Sequence, residues 1–113
     1  MRRYDVYGFR NLNIENAAVL VESALGIRLV RRDSDYRGIY YSAGEGVNND
    51  YLLQYNDENS RWRRYPEYGV TLMVSNLPDM DSIRQKLTSG RSNPVLLRSI
   101  VQTEEPPTEY LDP

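Results

Sequence analysis

The chain has 113 residues, about one domain, and its 40% hydrophobic and 27% charged residues are ordinary for a globular protein and exclude global disorder. A formal charge of -2 argues against a protein whose main task is to hold a nucleic-acid backbone, which needs net positive potential. The absence of both His and Cys removes the commonest general base, the commonest transition-metal ligand, the thiolate nucleophile and every disulfide.

No apolar run approaches the roughly 20 residues of a membrane span, and residues 1–10 are not followed by an apolar stretch of signal-peptide type. The expectation is a cytoplasmic protein with no cofactor, no metal and no membrane partner.

Residues 4–9 (Tyr-Asp-Val-Tyr-Gly-Phe) predict a strand with Val6 on one face and Tyr7 and Phe9 on the other. Asn11 and Asn13 then offer N-cap oxygens. Ile14, Ala17, Ala18, Val21, Ala24 and Leu25 follow as the apolar stripe of a helix, which Gly26 closes in the left-handed region.

Residues 27–32 predict a strand, Asp33-Ser34-Asp35 a turn, and residues 36–43 a returning strand. Residues 44–50 are dense in turn formers, and 51–55 form a short strand with Tyr51, Leu53 and Tyr55 on one face. Residues 56–68 follow neither period and include Pro66, so they read as a long loop of the kind that often carries function.

Residues 70–74 are almost continuously apolar, which predicts a central strand buried on both faces. Asn76-Leu77-Pro78-Asp79 is helix-start chemistry, Met80, Ile83 and Leu87 supply the stripe, and Gly90 the end. Residues 95–101 give a last strand.

The order is β-α-β-β-β then β-α-β, an α+β fold in residues 1–102 with a ferredoxin-like or half-glyoxalase-like sheet and both helices on one face. Residues 103–113 form an acidic, Pro-rich tail with Glu104, Glu105, Glu109 and Asp112.

Three sets of residues invite a chemical reading. Of the acidic pairs Asp33/Asp35, Asp57/Glu58 and Asp79/Asp81, the first is placed in a tight turn and the last at a helix start, where capping and the helix dipole account for them better than acid–base catalysis. Gly44-Glu45-Gly46 leads into a strand and has no Lys, so it lacks what a phosphate loop needs. The third set is the strongest.

Between positions 36 and 68 stand Tyr36, Tyr40, Tyr41, Tyr51, Tyr55, Trp62, Tyr65 and Tyr68, eight of the twelve aromatics, together with Arg37, Arg61, Arg63 and Arg64. Tyr, Trp and Arg dominate interface hot spots because each joins a large contact area to a polar handle. Tyr41, Tyr51 and Tyr55 are expected to pack on the sheet with hydroxyls at the rim. That leaves Tyr36, Arg37, Tyr40, Arg61, Trp62, Arg63, Arg64 and Tyr65 as candidate partner-binding residues. Aromatics beside arginines also suit single-stranded nucleic acid, but the net charge opposes it. A small ligand bound on the sheet by Tyr40, Tyr51 and Leu53 is the other binding reading.

The strand order resembles half of the vicinal oxygen chelate (glyoxalase-like) architecture, whose metal site uses His and Glu; with no His here, that likeness implies a fold only. Residues 4–9, the Ala24-Leu25-Gly26 helix end and residues 35–41 (Asp-Tyr-Arg-Gly-Ile-Tyr-Tyr) resemble short bacterial proteins, some of them immunity partners in contact-dependent inhibition and related toxin systems. This resemblance, over residues 4–100, implies a protein that binds a cognate toxin in the cytoplasm and occludes its active site, with acidic groups facing a basic, nuclease-like surface. It transfers no site residues and leaves dimerisation open.

Overall fold

The structure, a computed structural model, describes residues 2–35, 38–44, 50–56, 65–89 and 93–102. The elements are β1 (Arg2–Phe9), α1 (Ile14–Leu25), β2 (Val30–Ser34), β3 (Gly38–Ala43), β4 (Tyr51–Tyr55), β5 (Val70–Ser75), α2 (Met80–Thr88) and β6 (Val95–Gln102). They form an α+β protein with one open six-stranded sheet in the order β2-β3-β4-β5-β1-β6, every neighbouring pair antiparallel. The tail at 103–113 lies outside the described residues. Among those that are described, no helix is long and apolar enough to cross a membrane.

Strand alternation assigns the two faces. Tyr7 pairs with Leu72 and Phe9 with Val70, while Leu53 pairs with Leu72 on its other side, so these residues share a face. Onto that face α1 brings Ile14, Ala17, Ala18 and Val21, and α2 brings Met80, Ile83 and Leu87, in one buried core. Leu53, Leu72 and Leu87 are wholly buried there, which stabilises each by about 1.5–3 kcal/mol relative to exposure.

The ends of α1 follow the sequence closely. Asn13 accepts a hydrogen bond from the Asn16 N–H at 2.8 Å, and Gly26 takes φ 67 with its N–H donating to Glu22 O. At α2 the expected cap is not made: Asp79 occupies the N-cap position without a side-chain hydrogen bond. The expected stop, Gly90, lies outside the described residues; the helix ends at Thr88, whose hydroxyl donates to Arg84 O at 2.7 Å.

The β2–β3 hairpin differs from expectation by a shift along the chain. Its first strand begins at Val30, because Leu29 is drawn into the core and its N–H donates to the Glu22 carboxylate at 2.8 Å. Asp33 therefore sits inside β2 opposite Ile39, and the turn moves outward to Asp35. As expected for a strand buried on both faces, β5 lies between β4 and β1. Val70, Leu72 and Val74 face the helices, and Thr71 is buried on the opposite side.

Candidate partner-binding site

Topology brings the strand ends that flank the two Tyr/Arg-rich connections to one end of the sheet. Ser34 pairs with Gly38 where β2 turns into β3, and Tyr55 pairs with Val70 where β4 hands over to β5. Phe9 also pairs with Val70, so the end of β1 and both connections stand at one end of the sheet. Since β3 and β4 are neighbours, the two connections leave side by side.

The base of the longer connection is clamped. Asn56 N–H donates to Gly69 O at 2.9 Å, and Asn56 Nδ2 donates to Tyr65 O at 3.1 Å and Tyr68 O at 2.9 Å. Tyr68 N–H donates to Tyr65 O at 3.0 Å. One amide side chain thus ties residue 56, just past β4, to the carbonyls of residues 65 and 68 ahead of β5, satisfying groups that a loop would otherwise leave to water.

Tyr68 extends this base onto β1. Its ring lies over Gly8, on the face away from the helices, where a Cβ would stand only 2.7 Å from Tyr68 Cγ and 2.8 Å from Leu97 Cδ1. Glycine is required at this position for close approach, since no side chain fits between strand and ring. Arg10 covers the ring with its guanidinium carbon 4.7 Å from the centroid and donates through Nη2 to Tyr68 Oη at 3.0 Å. Asn93 in turn holds the Arg10 backbone from both sides, accepting from its N–H and donating to its carbonyl, each at 2.9 Å.

Of the residues assigned from sequence, Tyr36, Arg37, Arg61, Trp62, Arg63 and Arg64 lie outside the described residues. Tyr65 is half-buried at the clamp. Tyr40 is half-buried on β3, opposite Arg32 and Gln54. The small-ligand lining does not assemble: Leu53 is wholly buried in the core and Tyr51 packs against it, whereas Tyr40 points to the other face. The alternation that sets neighbours 51 and 53 apart from 40 explains the failure. Tyr41 and Tyr51 pack on the sheet as expected, and Tyr55 stays 42% exposed. Burial, with Asp79 and Asp50 adding negative charge nearby, raises the Tyr51 hydroxyl pKa.

Sequence reading missed Arg10, Asn56 and the role of Tyr68. Gly8 inside a strand pattern was the available signal, since such a glycine marks a close approach.

Toward the other end of β1, on the helix face, is an ionic cluster. Asp5 is wholly buried and accepts from Arg3 Nε at 3.2 Å and Nη2 at 3.0 Å, from Arg84 Nη2 at 3.2 Å and from Ser99 Oγ at 2.6 Å. Burial opposes ionisation of Asp5, but the hydrogen bonds from Arg3 and Ser99 and the charges of Arg84 and Arg3 outweigh it and hold the carboxyl below its ordinary range. Arg3 also reaches Asp81 at 2.6 Å, an exposed pair worth little. Tyr7 Oη and Arg84 Nε are buried with no hydrogen-bond partner among the described residues, and burial, with the Asp5 charge, pushes the Tyr7 hydroxyl up to about 12. The cluster joins β1, α2 and β6, and its charges are used internally.

No known protein-family model, curated protein or solved structure matches the chain.

Proposed function

We propose that this chain is a non-enzymatic protein-binding module, of the immunity type that binds and neutralises a cognate bacterial toxin domain in the cytoplasm. The observation that carries this reading is the side-by-side exit, at one end of the sheet, of the connections bearing Tyr36 and Arg37 and bearing Arg61, Trp62, Arg63 and Arg64. An interface that draws Trp, Tyr and Arg anchors from two neighbouring connections fits the clustered hot spots of protein recognition. The clamp at Asn56 and the Arg10–Tyr68 stack support it, because a fixed base lowers the ordering cost of binding.

Co-expression with the product of the adjacent upstream gene tests the proposal. That product is expected to be toxic alone, tolerated in the presence of this chain, and recovered bound to it. A harmless neighbour, or two proteins that do not co-purify, ends the immunity reading.

For the fold, we read β6-β1-β5-β4 with the two helices as a ferredoxin-like arrangement, extended at one edge by the β2–β3 strands. Support comes from the α2 crossover, which carries the chain from β5 over β1 to β6, leaving β1 between them.

A further inference from the structure

The open sheet has two edges, and they are built differently. β2 is five residues long and carries Arg31, Arg32 and Asp33, the charged, short form that protects an edge from pairing with other chains. β6 is eight residues long, reads Val-Leu-Leu-Arg-Ser-Ile-Val-Gln, and has one charge, Arg98. Val95 is 37% exposed and Val101 54%. β6 pairs with β1 along one side from Val95 to Gln102, with a bulge opposite Val6 and Tyr7. Among the described residues no strand pairs with its other side, where alternate N–H and C=O groups face outward.

Charge selects the occupant. Arg98, opposite Val6, and Arg2, opposite Gln102, share the face away from the helices, whereas Arg3 and Arg84 are already paired with Asp5 and Asp81. Among the described residues, Asp5 is bonded by both Arg3 and Arg84, and Asp81 by Arg3, and no acid is paired with Arg98 or Arg2. A second copy of β6 would bring a second set of these arginines to one seam, like charge against like. An extended segment carrying carboxylates meets them with opposite charge.

We propose that the outer edge of β6 takes an extended acidic peptide segment as an added strand. Main-chain hydrogen bonds supply the affinity, and Arg98 and Arg2 select for carboxylate side chains. This surface is distinct from the sheet end bearing Tyr65 and does not depend on that end's function.

The test is amide exchange followed by NMR on the ¹⁵N-labelled full chain, with the capped peptide Glu-Val-Glu-Val-Glu-Val-Glu as probe and its Lys-for-Glu counterpart as control. In the free protein, the β6 amides facing away from β1 are expected to exchange fast, alternating with slow ones. Excess acidic peptide should slow the fast set by about tenfold or more, the Lys peptide should not, and Arg98→Glu should weaken the acidic peptide by about tenfold. The proposal is overturned if neither peptide protects these amides or if both protect them equally. Protection already present in a free monomer would assign the edge to a segment of the chain itself, and protection that rises with a sedimenting dimer would assign it to a second copy; either result also overturns it.

Discussion

The Arg10 guanidinium stacks on the Tyr68 ring, 4.7 Å from its centroid, and the same group donates to the Tyr68 hydroxyl at 3.0 Å. Two residues far apart in sequence are thereby coupled, and the clamp that holds the 56–69 connection is fastened to the end of β1. Each contact is modest alone; together they define where the aromatic and arginine-rich connections leave the sheet.

This coupling is measurable. In a double-mutant cycle of Arg10→Ala and Tyr68→Leu, which removes both the ring and its hydroxyl, urea denaturation should return an interaction energy of about 0.5–1.5 kcal/mol. Additive single effects would mean that the stack contributes nothing.

Gly8→Ala places a methyl group between β1, Tyr68 and Leu97, where no room exists. The expected loss of stability is about 1–3 kcal/mol, the usual effect of overpacking. The expected spectroscopic sign is displacement of Tyr68 resonances, with the α1 and α2 core unchanged. Gly26→Ala provides a contrast: there the space is open and the cost comes from the positive φ alone.

The Asp5 cluster makes a pH prediction. Its carboxyl pKa is lowered in the folded protein, so its stabilising contribution is fully present above the ordinary carboxylate pKa of about 4 and is lost as pH falls through the folded value. Asp5→Asn removes the charge that Arg3 and Arg84 share. A loss of about 1.5–3 kcal/mol is expected at pH 7, shrinking on titration to pH 3. A variant whose deficit is constant across that range would contradict the role given to the ionised form.

Trp62→Ala separates binding from folding. If Trp62 is an interface anchor, the affinity for the co-purified partner falls by about 30-fold or more, the effect of losing a hot spot of about 2 kcal/mol, while thermal unfolding is nearly unchanged. A large fall in melting temperature would return Trp62 to the core.

Local rules made much of the fold legible. Asn13 and Gly26 bracket α1 as capping chemistry requires, and the split of Val6 from Tyr7 and Phe9 across the sheet follows from strand alternation. What local pattern did not contain was long-range pairing. Nothing in residues 27–35 marks Leu29 as a core residue tied back to Glu22, so the hairpin is displaced from its expected start. The ligand-site reading joined Tyr40 to Tyr51 and Leu53 by proximity in sequence, and the β3–β4 register sends them to opposite faces. The Arg10–Tyr68 stack needs β1 beside β5, a relationship that appears only once the sheet is assembled.

The proposed protein partner is bound at the sheet end where the β2–β3 and β4–β5 connections leave. The most direct test of this placement is amide exchange of this chain, free and in complex with the product of the adjacent upstream gene. Slowed exchange is predicted at positions 35–40 and 56–69, with α1 and α2 unaffected. A complex whose protection falls on the two helices, with that end of the sheet unchanged, would contradict it.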